Sequence, residues 1–112
     1  MRLSLAVLSA VMMVGSTPAA LAQSRQVIGG ANASLPFSNA VKAGGFIYVS
    51  GSIGKGGAVS GDIRQQTRDT LDGIDATLKQ AGSSLANAAS LTVYLTSAAD
   101  VPAMNEVYAT YF

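Results

Sequence analysis

Apolar positions along the chain follow two different periods, alternation in strands and three- and four-residue steps in helices, and they predict the elements in turn. Arg25-Gln26-Val27-Ile28 is a short extended piece ended by Gly29-Gly30. Ala40–Ala43 and Phe46–Ser50 are short blocks on either side of Gly44-Gly45, with β-branched and aromatic side chains that suit a pleated surface, so they predict a hairpin. From Ile63 the period changes. Thr67, Thr70, Leu71, Ile74, Leu78 and Ala81 follow at three- and four-residue steps, the single stripe of an amphipathic helix. Asp62 stands at its N-cap and Gly82 just past its end. Gly73, inside that helix, is expected to allow close packing against the sheet.

Alternation returns between Asn87 and Thr96. Leu91, Val93 and Leu95 fall on one side and Thr92, Tyr94 and Thr96 on the other, which predicts a second central strand. Asp100 then caps a second helix whose stripe is Met104, Val107, Tyr108 and Tyr111, with Pro102 in its first turn. The fold class is therefore α+β. The order runs strand-strand-helix-strand-helix and stops at Phe112 without a C-cap. A layer of this kind returns a strand after its last helix, so the closing C-terminal strands are expected to be missing.

Composition changes the picture at the N-terminus. The chain of 112 residues is 49% hydrophobic and only 12% charged. Much of that excess lies in residues 1–22: Arg2, an apolar run from Leu3 to Val14, then Pro18 and Ala20-Leu21-Ala22. A basic start, an apolar core shorter than the ~18 residues of a membrane span, and a small-x-small ending form a secretory signal, cut after Ala22. The expectation is a periplasmic or secreted domain, residues 23–112, with no membrane attachment after cleavage.

Removing Arg2 takes seven basic residues to six against six acidic ones, a formal net charge of zero. A neutral chain has no electrostatic reason to bind nucleic acid. The sequence holds no His and no Cys. That excludes the Ser-His-Asp triad, the Cys-His pair, the common zinc sites and disulfides. Chemistry must run on carboxylates, hydroxyls, amides, Lys, Arg or Tyr. Gly51-Ser52-Ile53-Gly54-Lys55-Gly56 lacks phosphate-loop spacing and reads as a mobile loop. Asp69, Asp72 and Asp75 read as a solvated helix face, and Asn105, beside the second stripe, as a partly buried amide.

Several stretches, taken in order, resemble successive blocks of the RidA (YjgF) family. They are Pro36-Phe37-Ser38-Asn39-Ala40-Val41, Gly45 to Ile53, Asp62-Ile63 with Gln66-Thr67-Arg68, Ala81 to Leu85, Thr92 to Thr96, and Met104-Asn105-Glu106-Val107-Tyr108 with Tyr111-Phe112. The resemblance implies a chorismate-mutase-like sheet with two helices on one face, assembled as a homotrimer with ligand sites between subunits. It implies hydrolysis of reactive enamines and imines of the 2-aminoacrylate type to 2-keto acids and ammonia, with no cofactor. The substrate partner would be a small 2-imino or enamino acid.

Residue by residue, the resemblance assigns substrate binding to Phe37, Ser50, Gly51 and Asn105. Phe37 stands where the family has Tyr, and Ser52 where it has Gln. The family's carboxylate-holding Arg and its proton-transferring Glu are expected beyond Phe112, which leaves no catalytic residue within the chain and predicts impaired deamination. The alternative is a non-catalytic trimeric module of the same fold that binds small molecules or proteins.

Overall fold

The computed structural model describes residues 24–30, 36–55 and 57–112. The expected signal segment 1–22, Gln23, Leu35 and Gly56 lie outside the described residues. Three antiparallel strands, β1 (Gln26–Ile28), β2 (Ala40–Ala43) and β3 (Phe46–Val49), form a sheet in the order β1-β2-β3. The β2–β3 hairpin closes through Gly44 and Gly45 at φ 59° and 80°. Both central residues of a two-residue turn of this hand need positive φ, and glycine supplies it without strain.

Helix α1 (Ile63–Gln80) has the ends its sequence predicts. The Asp62 carboxylate accepts from the backbone N–H of Gln65 at 3.0 Å. At the other end Ser83 N–H donates to Leu78 O at 2.8 Å and Gly82 N–H to Lys79 O at 3.1 Å. With Gly82 at φ 83° this is a Schellman stop. Gly73 differs from expectation: a Cβ built there meets nothing within 4 Å, and the residue is exposed. Helix packing does not require it, so it carries only its propensity cost. Gly73→Ala should stabilise the domain by about 1 kcal/mol and raise the thermal midpoint by about 4–8 °C, read by circular dichroism.

Register sorts the sheet's two faces. Ile28 pairs with Ala40, and Ala40 with Val49. These inward residues pack with Ala81, which follows α1. Leu71 and Leu78 of α1 join Leu85 in a second buried cluster, against which Ile47, Val49, Ile74, Leu91, Tyr108 and Tyr111 pack. Val27, Val41 and Tyr48 line up across the three strands on the opposite face. Helix α2 (Val101–Tyr108) lies along α1 and buries Met104 and Val107. The architecture is α+β, a sheet with its helical layer on one side.

Two expectations change. Asp100 occupies the N-cap position of α2 but its side chain caps nothing. The helix is entered through a 3-10 turn, Ala98–Asp100, in which Ser97 Oγ accepts from Ala99 N–H. The strand predicted from Asn87 to Thr96 is absent. Leu85–Asn87 is a 3-10 turn, and residues 88–96 are neither helix nor strand, with bends at Ala89 and Thr96 and no strand partner among the described residues. Alternation sets an extended backbone and a buried side, and Leu91 does reach the leucine cluster. A ladder needs a neighbour as well, and no described strand lies alongside.

Candidate functional site

Strand β3 delivers Ser50 and Gly51 to the end of the sheet. Ser50 N–H donates to Asn39 O at 2.9 Å, and its hydroxyl donates to Ser38 O at 2.5 Å. These two bonds tie the end of β3 to the stretch that carries Phe37, so the structure brings Phe37, Ser50 and Gly51 into one neighbourhood. Phe37 is 58% exposed, and a Cβ on Gly51 would meet nothing within 4 Å. The backbone of Gly51 is open to close approach. Because the Ser50 proton is held by Ser38, Ser50 offers an acceptor outward.

The loop beyond is more ordered than its glycines predict. Gly54 N–H donates to Thr70 Oγ1 at 2.9 Å, which pins the loop to α1, and Lys55 bridges to Ala58. Thr70 left no sign of this role in the sequence, where it reads as part of the stripe.

Asn105 departs from expectation. It is exposed, and its amide bonds to no described residue. It lies ~100° round the helix from Met104, so the turn that buries Met104 and Val107 carries Asn105 off the packed side. Beside it, Arg64 Nη1 on α1 pairs with the Glu106 carboxylate and also donates to Ala103 O at 3.4 Å. The Glu106 carboxylate holds the Arg64 guanidinium above its usual pKa. The exposed pair adds a second tie between α2 and α1 beside the buried Met104 and Val107. Nothing in the spacing of Arg64 and Glu106 announces the pair.

Two of the three aspartates of α1, Asp72 and Asp75, also tie the helix to other segments. Asp69 accepts from Gln65 Nε2 at 2.7 Å and Asp72 from the Tyr111 hydroxyl at 2.8 Å. Asp75 accepts from Leu85 N–H at 3.0 Å and pairs with Lys79 at 2.6 Å. The hydrogen bonds from Lys79 and from Leu85 N–H hold the Asp75 carboxyl below the usual carboxylate range. Burial, and then the bond to Asp72, push the Tyr111 phenol up. Among the described residues no group of three His, Cys, Asp or Glu could hold a metal, and no helix is long and apolar enough to cross a membrane.

Two open clefts mark the surface. One of about 280 Å³ lies by the hairpin turn, lined by Ser24, Gln26, Lys42 and Ala43–Gly45. The other, about 320 Å³, is lined by Gly54, Lys55, Asp69, Asp72 and Gly73. Neither is lined by Phe37, Ser50, Gly51 or Asn105. All four are exposed residues, and within one chain Asn105 rides on α2, which packs along α1.

Residues 28–112 match the family model described as Endoribonuclease L-PSP. The chain belongs to this family, also known as YjgF or RidA. A RutC family protein of Pyrococcus horikoshii is 47% identical over 81 residues, covering 69% of this chain and 64% of the relative. A mouse protein named 2-iminobutanoate/2-iminopropanoate deaminase is 35% identical over 81 residues, covering 69% of this chain and 60% of the relative. The crystal structure of a Mycobacterium tuberculosis member of the YjgF/YER057c/UK114 family superposes with a TM-score of 0.69 at 33% identity, covering 80% of this chain and 75% of that one. The chain thus spans less than two thirds of the length of these curated relatives.

Proposed function

We infer that the protein serves the hydrolysis of small 2-imino acids, with a pocket shared between copies of the chain. The observation that carries this reading is the family match over residues 28–112, which includes a relative named as an imine deaminase. The chemistry asks little of a protein. An enamine tautomerises to its imine, water adds to the C=N carbon, and the carbinolamine collapses to a 2-keto acid and ammonia. The protein must hold the substrate carboxylate, position the water and exclude competing nucleophiles.

The Gly51 N–H and the Asn105 amide are the free donors for the carboxylate, with Ser50 Oγ as acceptor and Phe37 as an apolar wall. The Arg and Glu that the family resemblance expects fall outside the matched stretch, so residues 24–112 supply the binding half of the site. On their own they are expected to be impaired.

A homotrimer is part of the proposal. The outer sheet face presents Val27, Val41, Phe46 and Tyr48, with Tyr48 62% exposed, and apolar rows of this kind support burial against another copy. Export is also proposed, from the character of residues 1–22, and N-terminal sequencing of the protein from cells tests it.

A non-catalytic binding module is the second reading. Phe37 favours it, because a phenyl ring brings no hydroxyl to the pocket. RNA cleavage, which the family description names, has less support, since the chain has no His and the 23–112 stretch carries no net charge.

Ammonia release from freshly generated 2-aminoacrylate decides between the first two. A rate above the uncatalysed one in the protein with its family-length C-terminal region supports deamination. A rate equal to the uncatalysed one leaves the binding module standing.

A further inference from the structure

Between Ser50 and the start of α1 the chain runs along the surface. Of the described residues in 51–60, Gly54 is half-buried and the others are exposed. Burial does little to fix such a loop, so its hydrogen bonds decide its order. At one end Ser50 is fastened to Asn39 O and Ser38 O. Within the loop, Ser52 Oγ donates to Ser50 O at 3.4 Å and Ala58 N–H to Lys55 O at 3.1 Å, both local bonds. Among the described residues, one hydrogen bond ties 51–60 to another element. It runs from Gly54 N–H to Thr70 Oγ1 on α1, at 2.9 Å.

Thr70 differs here from the other threonines of its helix. Thr67 and Thr77 donate to carbonyls four residues earlier on α1, Ile63 O at 2.7 Å and Gly73 O at 3.1 Å. Thr70 accepts from outside the helix. Gly54 is suited to the contact: its φ is 50°, and a Cβ there would run into Ala58 O. Only glycine lets the chain close this turn and still present its N–H to α1.

We propose that Thr70 is a positioning residue for the substrate carboxylate. By holding Gly54 it fixes the three residues between two anchors, Gly51, Ser52 and Ile53, and with them the Gly51 N–H. A Cβ on Gly51 would meet nothing within 4 Å, so packing does not place this residue. Its place follows from the anchor at Ser50 and the anchor at Gly54. A short segment tied at both ends keeps few conformations, and the entropy of ordering it is spent before the ligand arrives. Released at Gly54, the same backbone would run loose as far as the Asp62 cap of α1. Thr70 acts through Gly54 and not on the substrate itself. The inference rests on the deaminase reading for what Gly51 binds.

Three variants test it, each made in the protein with its family-length C-terminal region. Thr70→Val removes the acceptor and keeps the side-chain shape. Thr70→Ser keeps the acceptor. Thr77→Val removes a hydroxyl from the same helix without touching the loop. In Thr70→Val the NMR order parameters of Gly51–Ile53 should fall from about 0.85 to about 0.6 or below. The Kd for pyruvate, a small 2-keto acid, should rise about tenfold by amide-shift titration. The helical circular dichroism should not change. Thr70→Ser should restore both the order and the affinity, and Thr77→Val should alter neither. Pyruvate affinity equal in Thr70→Val and the unaltered protein overturns the proposal, and so does a Gly51 that stays ordered. A loss that Thr70→Ser fails to restore, or that Thr77→Val reproduces, also overturns it, because either would be a general effect on the helix. If the unaltered protein shows no pyruvate shift at all, the deaminase pocket fails and takes the proposal with it. That outcome is distinct from the others, which all require binding by the unaltered protein.

Discussion

Replacing Leu71 with alanine should abolish the cooperative thermal transition of the domain. Leu71 is 3% exposed and belongs to the cluster that joins α1 to β3, to Leu91, to Tyr108 at the end of α2 and to Tyr111 beyond it. Truncating a buried leucine costs about 2–5 kcal/mol, through lost transfer free energy and the cavity left behind. Domains have only about 5–15 kcal/mol in total, and small ones lie toward the bottom of that range. Among the described residues no large side chain falls below 2% exposure, so the described core has little elsewhere to compensate. Urea and heat melts followed by circular dichroism would read the effect. Ile53→Ala, at a side chain 60% exposed, is the control and should leave the melt in place. An unchanged midpoint for Leu71→Ala would mean that the helix–sheet cluster does not hold the fold together.

Placing a charge at Tyr48 should take the proposed trimer apart. Tyr48 pairs with Val41, which pairs with Val27, so the three side chains form one apolar row across the outer face. In the chain alone that row faces water. Burying a lysine head group in a packed interface without a partner is costly, because the charge loses its hydration. Tyr48→Lys should therefore shift the sedimenting species from trimer to monomer. The helical circular dichroism should persist, since the residue contributes nothing to the core beneath. A variant that remains trimeric would move the interface to another face.

What was legible in the sequence was local. The Asp62 cap, the Gly82 stop and the stripe between them each depend on residues within one or two turns, so α1 was readable nearly to its ends. The Gly44-Gly45 turn fixes its own geometry and with it the β2–β3 register. The stretch from Asn87 to Thr96 was misread as a paired strand because pairing belongs to two segments, and alternation in one of them reports only extension and sidedness. The burial of Asn105 was misjudged for a related reason. Its place beside the stripe is right, but the rotation of a two-turn helix is set by packing against a distant segment, here Met104 and Val107 against α1.

The candidate site was legible in part through family resemblance. Ser50 and Gly51 do lie at the sheet's end, tied to the strip that carries Phe37. No pocket joins them to Asn105 within one chain, and the proposed completion by another copy would leave no periodic trace in the sequence. The clamps made by Asp72 with Tyr111 and by Asp75 with Leu85 were equally hidden, since each joins α1 to a segment with its own separate pattern.

The absence of cysteine from the sequence makes the central claim open to a direct measurement. Two variants, Ser52→Cys and Asn105→Cys, are prepared separately, mixed, allowed to exchange subunits and treated with a short bismaleimide. If the end of β3 in one copy and Asn105 of another line the same crevice, a covalent dimer joining the two variants should form, and substrate-sized 2-keto acids should slow it. Dimers that join only copies of the same variant, or no links at all, would contradict a pocket shared between copies.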